Sequence, residues 1–198
     1  MISTPTNEYY ETHSDTFFDQ TVGVDMAPLH ARFLAHVPSG GVIVDAGCGS
    51  GRDAKVFIAR GYQVSAFDAS TSLAAKAAEL LGIPVACRRF EDITEVDVYD
   101  GVWACASLLH VAQAELPDAL AALTRALRVG GVVYASFKRG CGERTDDNGR
   151  HFTDMTHDTL NSLFADVCEL ELIEVWETTD RRGDRPQQSW CNVLARKR

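Results

Sequence analysis

The chain has 198 residues, of which 45% are hydrophobic and 24% charged, the proportions of one soluble globular domain with a real core. Asp and Glu outnumber Lys and Arg by 28 to 19, giving a net charge of −9. That balance speaks against a surface built to neutralise phosphates, so nucleic acid is not an expected partner. No apolar run approaches the roughly 20 residues that span a bilayer, and MISTPTNEYYETHSD has neither the basic start nor the apolar stretch of a secretory signal. Six scattered cysteines with no CxxC pair suit free thiols in a reduced, cytoplasmic protein better than disulfides or a metal site.

In chain order, residues 1–25 look less regular but carry Tyr9, Tyr10, Phe17 and Phe18, which suits either a lid over a cleft or a hydrophobic cap. Helical spacing of Leu29, Phe33, Leu34 and Val37 predicts a helix over about 26–37, broken by Pro38-Ser39-Gly40-Gly41. GVIVDAG reads as a buried strand, RDAKVFIARG as a helix closed by Gly61, and YQVSAFD as a second strand. STSLAAKAAELLG is a helix with hydroxyl caps, followed by the short strand IPVAC. YDGVWACASLLH is a long apolar strand running into a loop, ELPDALAALTRALRVGG an amphipathic helix, and VVYASFK a strand. A polar loop, RGCGERTDDNGRHFTD, leads to the helix HDTLNSLFA and two last strands, CELELIEVWETTD and QQSWCNVLARK. Strand and helix alternate, the signature of a doubly wound, mostly parallel α/β sheet. The seven predicted strands form one domain over 26–198, with one strand antiparallel near the C-terminus because no long helix separates the final pair.

The strongest chemical signal is VIVDAGCGSGRDA, where Gly47-Cys48-Gly49 and Gly51 follow a strand and open a helix. A phosphate P-loop would need a terminal GK[ST], and a dinucleotide fingerprint counted from Gly47 would need glycine where Arg52 stands. What remains is G-x-G-x-G with an acid, Asp45, two residues before it, able to hold a cationic amino group beside the bend. Asp68 ends the second strand, where a carboxylate accepts from both hydroxyls of a ribose; helix capping is the plainer alternative. In FEDI, Glu91 or Asp92 suits an exocyclic adenine amine, Asp92 the better placed, with Ile93 packing on the ring; a solvated acidic turn is the alternative.

DAGCGSGRD, Asp68, FEDI and DGVWACASLLHV together resemble the class I S-adenosylmethionine-dependent methyltransferases over residues 25–198. FKRGCGE, NGRHFTD and the tail look similar to the small bacterial tellurite-resistance-type members. The resemblance implies a Rossmann-like methyltransferase fold, S-adenosyl-L-methionine as cofactor and a small-molecule acceptor, the alternatives being an RNA or protein acceptor or a non-catalytic cofactor-binding protein of the same fold. By it, Asp45 neighbours the methionine amino group, Gly47 and Gly49 lie under methionine and ribose, and Asp68 binds the ribose. Ala69 and Ser70 lie near the adenine, Glu91 and Asp92 at its edge, and Ala106 or Ser107 near the methionine chain. Arg32 is a candidate partner for the cofactor carboxylate, and Tyr10 for a lid contact.

The sulfonium methyl is already activated, so alignment and exclusion of water supply most of the gain, and a base helps only if the nucleophile is protonated. His110, after SLL at the end of the fourth strand, is the candidate. The acceptor site is expected from Lys138, Glu143, Arg150 and Phe152, with Asp180, Arg182 and Arg185 from the last connection. Converging arginines would suit an anionic acceptor; a solvated loop is the alternative.

Overall fold

The structure is a computed structural model and describes residues 4–182 and 187–198. In chain order its strands are β1 (Val42–Ala46), β2 (Gln63–Asp68), β3 (Ala86–Cys87), β4 (Tyr99–Ala104), β5 (Leu127–Lys138), β6 (Gly142–Thr145), β7 (His151–Asp154), β8 (Leu170–Thr179) and β9 (Ser189–Lys197). The helices are α1 (Pro5–Thr12), α2 (Ser14–Thr21), α3 (Ala27–Leu34), α4 (Arg52–Ala59), α5 (Thr71–Leu81), α6 (Leu116–Ala126) and α7 (His157–Ala165). Seven strands make one sheet in the order β3-β2-β1-β4-β5-β9-β8. Its first five strands pair in parallel, and β9 runs antiparallel to both neighbours. The doubly wound sheet and its single reversed strand are as expected from the sequence.

Strand alternation sends side chains to two cores. Trp103 and Tyr134, paired in register on β4 and β5, turn to one face and stack at 4.0 Å. Phe33 of α3 and Phe57 of α4 close over them. Their strand neighbours Val102 and Val133 turn the other way, into the larger core with Leu120 and Leu123 of α6 and Phe164 of α7. Gly101 lets α3 sit directly on β4: a Cβ there would stand 2.6 Å from the Phe33 ring. Local signals stop and start the helices. Ser70 Oγ accepts from the Leu73 amide at the start of α5, and Thr156 and Thr159 form a reciprocal box at the start of α7.

Four expectations shift, one being that the helix predicted to run to Gly131 ends at Ala126, with 127–131 already in β5. The stretch 1–25 contains two helices, α1 and α2, not irregular chain. The first predicted helix, 26–37, is shorter, Ala27–Leu34. The polar loop after β5 contains the hairpin β6–β7. Its strands show little apolar alternation, and the hairpin is held instead by buried Phe152 and by the ion pair of Arg144 Nε with Asp154 Oδ2 at 2.6 Å.

Candidate active site

Parallel strands deliver their carboxyl ends to one edge, and the cleft lies there. β1 ends at Asp45-Ala46 and turns through Gly47, whose φ of +79° favours glycine. A Cβ on Gly47 would lie 2.4 Å from Ser107 Cβ, so the loop passes closely under the residue after β4. Ser107 Oγ donates to the Ala46 carbonyl at 2.6 Å, and the Ala106 amide donates to Ser136 Oγ at 2.8 Å. Ala106 itself has φ of +54°, a left-handed conformation costly for a side-chain-bearing residue. These bonds tie the ends of β1, β4 and β5 into one rigid floor.

Two cavities meet over that floor. The larger, about 690 Å³, is lined by Asp68, Ala69, Phe67, Arg88, Phe90, Glu91 and Ser107. The smaller, about 150 Å³, is lined by Asp45, Cys48, Arg52, Cys105, Lys138, Arg150, Phe152, Arg182 and Trp190, among others. Gly47, Gly49, Ala106, His110, Tyr10 and Phe17 border both. Asp68 braces the glycine loop: Oδ2 accepts from the Gly49 amide at 2.8 Å and Oδ1 from the Ser70 amide at 2.9 Å. Burial nonetheless pushes its carboxyl up. Asp45 accepts from the Ala54 amide at 3.1 Å, and burial and then the nearby Asp53 charge push its carboxyl well up. A buried carboxylate held in this state gains from a cation beside it.

Arg52 is the residue that sequence reasoning counted only against a dinucleotide site. It forks onto Asp53, Nε to Oδ1 at 2.8 Å and Nη2 to Oδ2 at 2.7 Å. Asp53 also receives Trp103 Nε1–H at 2.8 Å and His30 Nε2–H at 2.8 Å. Burial pushes the Asp53 carboxyl up, but Arg52 and His30 outweigh it and hold it well below the usual carboxylate range. A guanidinium has five N–H donors, so Arg52 retains capacity at the cleft it lines. The available signal was a cation directly after the third glycine.

His110 lies in a short helical turn after β4. Its Nδ1 is 2.7 Å from the His151 carbonyl, which only accepts, so Nδ1 carries the proton. In the neutral ring Nε2 is then an acceptor, and Tyr10 O–H donates to it at 2.8 Å. Burial pushes the imidazole down to about 4 and the Tyr10 phenol up to about 12. Tyr10 comes from α1, which also docks through Glu11 on the Thr71 and Ser72 amides at the start of α5. Thr6 Oγ1 accepts from the His151 amide at 2.8 Å.

Six predicted residues, Arg32, Gly51, Ser70, Asp92, Ile93 and Glu143, lie outside the lining of either cavity. Arg32 is exposed, paired with Glu174 at 2.7 Å and stacked 4.7 Å from the Trp176 ring. It is committed to β8 rather than to the glycine loop. Asp92 turns back to accept from the Arg89 amide at 2.9 Å, leaving Glu91 as the acid of that pair at the cleft. Gly51 and Ser70 start helices α4 and α5. The arginines expected to converge each have a carboxylate already: Arg150 pairs with Asp146 and Arg182 with Asp180. Glu143 accepts from the Gln113 amide at 2.8 Å, and Arg185 lies outside the described residues. All six cysteines are free. Among the described residues no cluster could hold a metal, and no helix is long and apolar enough to cross a membrane.

Residues 43–131 match the family model described as a methyltransferase domain. With the sheet order and the glycine loop, this gives the chain the Rossmann-like methyltransferase fold. Solved structures are similar throughout. Burkholderia thailandensis 1,6-didemethyltoxoflavin-N1-methyltransferase, solved with 1,6-didemethyltoxoflavin and S-adenosylhomocysteine, is 22% identical with a TM-score of 0.78, over 96% of this chain and 84% of that one. The CcbJ methyltransferase of Streptomyces caelestis is 16% identical, TM-score 0.74, over 98% and 99%. The [4+2]-cyclase SpnF is 17% identical, TM-score 0.74, over 100% and 97%. A cyclase among them means that the likeness fixes the fold and leaves the reaction to the site. No curated protein matches the chain significantly.

Proposed function

We propose that this chain is an S-adenosylmethionine-dependent methyltransferase acting on a small molecule. The observation that carries this reading is a pair of acids, buried Asp45 and half-buried Asp68, ending adjacent parallel strands on either side of one glycine bend. In the larger cavity Asp68 would hold the ribose hydroxyls of the cofactor, and Phe90, Ala69 and Glu91 would border its adenine. Gly47 and Gly49 would underlie the methionine half, and Asp45 in the smaller cavity would face its ammonium. Arg52 takes its carboxylate, the role the sequence suggested for Arg32. Ala106 and Ser107 wall the methionine chain.

The bound cofactor supplies a methyl on a sulfonium, ready for in-line displacement. The protein's part is alignment and dryness. The α1–α2 segment closes the cleft as a lid, with Tyr10 and Phe17 against the reacting end. His110, neutral and with its Nε2 lone pair facing Tyr10, orients the acceptor more readily than it deprotonates it, because its basicity is low. The 1,6-didemethyltoxoflavin bound to the Burkholderia neighbour supports a small-molecule acceptor.

The test is a transfer screen over metabolite extracts with methyl-labelled cofactor, followed by mass spectrometry of any compound that gains one CH₂. A labelled small molecule is expected. Label appearing only in protein or RNA would move the reading to a macromolecular acceptor. No transfer despite tight cofactor binding would favour a non-methylating use of the fold, as the cyclase neighbour's name illustrates.

A further inference from the structure

The smaller cavity is lined by five cationic side chains, and four have carboxylates of their own. Arg52 pairs with Asp53, Arg150 with Asp146, Arg181 with Asp25 and Arg182 with Asp180. Lys138, at the end of β5, has no carboxylate within ion-pair distance among the described residues. Its Nζ rests 3.7 Å from the centroid of the Phe152 ring. Arg144 and Arg150 lie over the same ring, at 4.5 and 5.3 Å. Those two are matched by Asp154 and Asp146, so three cations face two carboxylates and one positive charge stands uncompensated.

We infer that the acceptor is a small organic monoanion, a carboxylate in chemical class, whose charge rests on Lys138 Nζ while its apolar body lies between Phe152 and Trp190. This rests on the methyltransferase reading and narrows its substrate. The single spare charge selects a monoanion over a dianion. The walls select an organic body: Phe152 and Leu109 are buried aromatic and aliphatic residues of the lining, and Trp190, the cross-strand partner of Lys138, lines the cavity beside it. A cation left against an aromatic face, partly desolvated and crowded by two arginines, is stabilised strongly by an arriving anion.

The surrounding groups agree. The imidazole nitrogen that could take a proton already accepts from Tyr10. Burial pushes the Cys105 thiol up to about 12, so it is no base near neutrality either. An acceptor that arrives ionised has no proton to surrender. Burial, and then Arg144 and Arg150, push the Lys138 ammonium down to about 8, with Asp154 and Asp146 opposing. Tyr10, Cys105, His110, Asp180, Arg181 and Arg182 line the same cavity, and His151 Nε2 is engaged with Thr153 and Glu143. Lys138 therefore loses its proton just above neutrality in the empty site, and anion affinity falls with it.

The test titrates the protein, presaturated with S-adenosylhomocysteine, with acetate, propionate and benzoate against their amides and against sulfate. At least one carboxylate is expected to bind tenfold or more tighter than its amide and than sulfate, and to weaken above about pH 8. Lys138→Met is expected to remove that preference and Lys138→Arg to retain it; Lys138→Gln serves if the Met variant does not fold. Carboxylates that bind no better than amides, a preference surviving Lys138→Met and Lys138→Gln, or affinity rising above pH 8 would each overturn the inference. Sulfate binding as tightly would overturn the organic body. S-adenosylhomocysteine binding is read first in the same cell, so its failure strikes the methyltransferase reading and not the acceptor class alone.

Discussion

Asp68→Asn is a nearly isosteric change whose cost follows from the two bonds the carboxylate makes. Both oxygens accept backbone amides, Gly49 at 2.8 Å and Ser70 at 2.9 Å. An asparagine has one oxygen and one NH₂, so either orientation sets an NH₂ against an amide N–H. One bond is lost and a donor is left facing a donor, costing about 1–3 kcal/mol. The change also removes the charge proposed to accept from the ribose hydroxyls, and charge-assisted bonds are about twice as strong as neutral ones. The loop that shapes the cofactor site and its polar anchor are thus weakened together. S-adenosylhomocysteine affinity is expected to fall by about 10- to 100-fold, each tenfold being about 1.4 kcal/mol. Isothermal calorimetry measures it, with circular dichroism confirming the fold. The analogue lacking both ribose hydroxyls should lose much less on mutation, because its binding never used the carboxylate directly. Unchanged affinity for the full ligand in a folded variant would refute the role of Asp68.

Gly47→Ala puts a Cβ 2.4 Å from Ser107 Cβ at a positive φ, so steric and backbone strain together are expected to cost about 2–4 kcal/mol; calorimetric melting should show a fall of several degrees, and an unchanged melting temperature would contradict the close approach. The His110 pKa lies below its unfolded value, 6.5 against about 4. Between those values an unfolded chain takes up a proton that the native one refuses, so this contribution is full above about pH 6.5 and lost as pH falls toward 4. Urea unfolding is expected to show about 1–3 kcal/mol less stability from this group at the acid end, a loss that His110→Gln should flatten. Glu11→Ala removes the carboxylate from the Thr71 and Ser72 amides; limited proteolysis is expected to cut within α1–α2 sooner, with the remaining domain intact, whereas an unchanged pattern would deny Glu11 a latching role.

The sheet was legible because buried parallel strands read as apolar runs, as VIVDAG and YDGVWA do, and because helical segments alternate with them. Asp45 and Asp68 could be placed together because a doubly wound sheet brings successive strand ends to one edge. What escaped depends on pairing that no local pattern encodes. The β6–β7 hairpin lacks clear alternation, and Arg144 reaches Asp154 only once the strands fold back. Arg32 and Arg52 are both cations near the loop in sequence, yet one is drawn to Glu174 and the Trp176 face while the other borders the cleft. Tyr10 against His110 spans 100 positions, a contact visible only in three dimensions.

The most direct measurement is calorimetric titration of the purified protein with S-adenosylhomocysteine and, separately, with NAD. A sulfur-nucleoside complex of micromolar or better affinity, with no heat from the dinucleotide, is the expected result. Silence with S-adenosylhomocysteine at millimolar concentration, or tighter binding of NAD, would contradict the assignment of the glycine bend and its two acids.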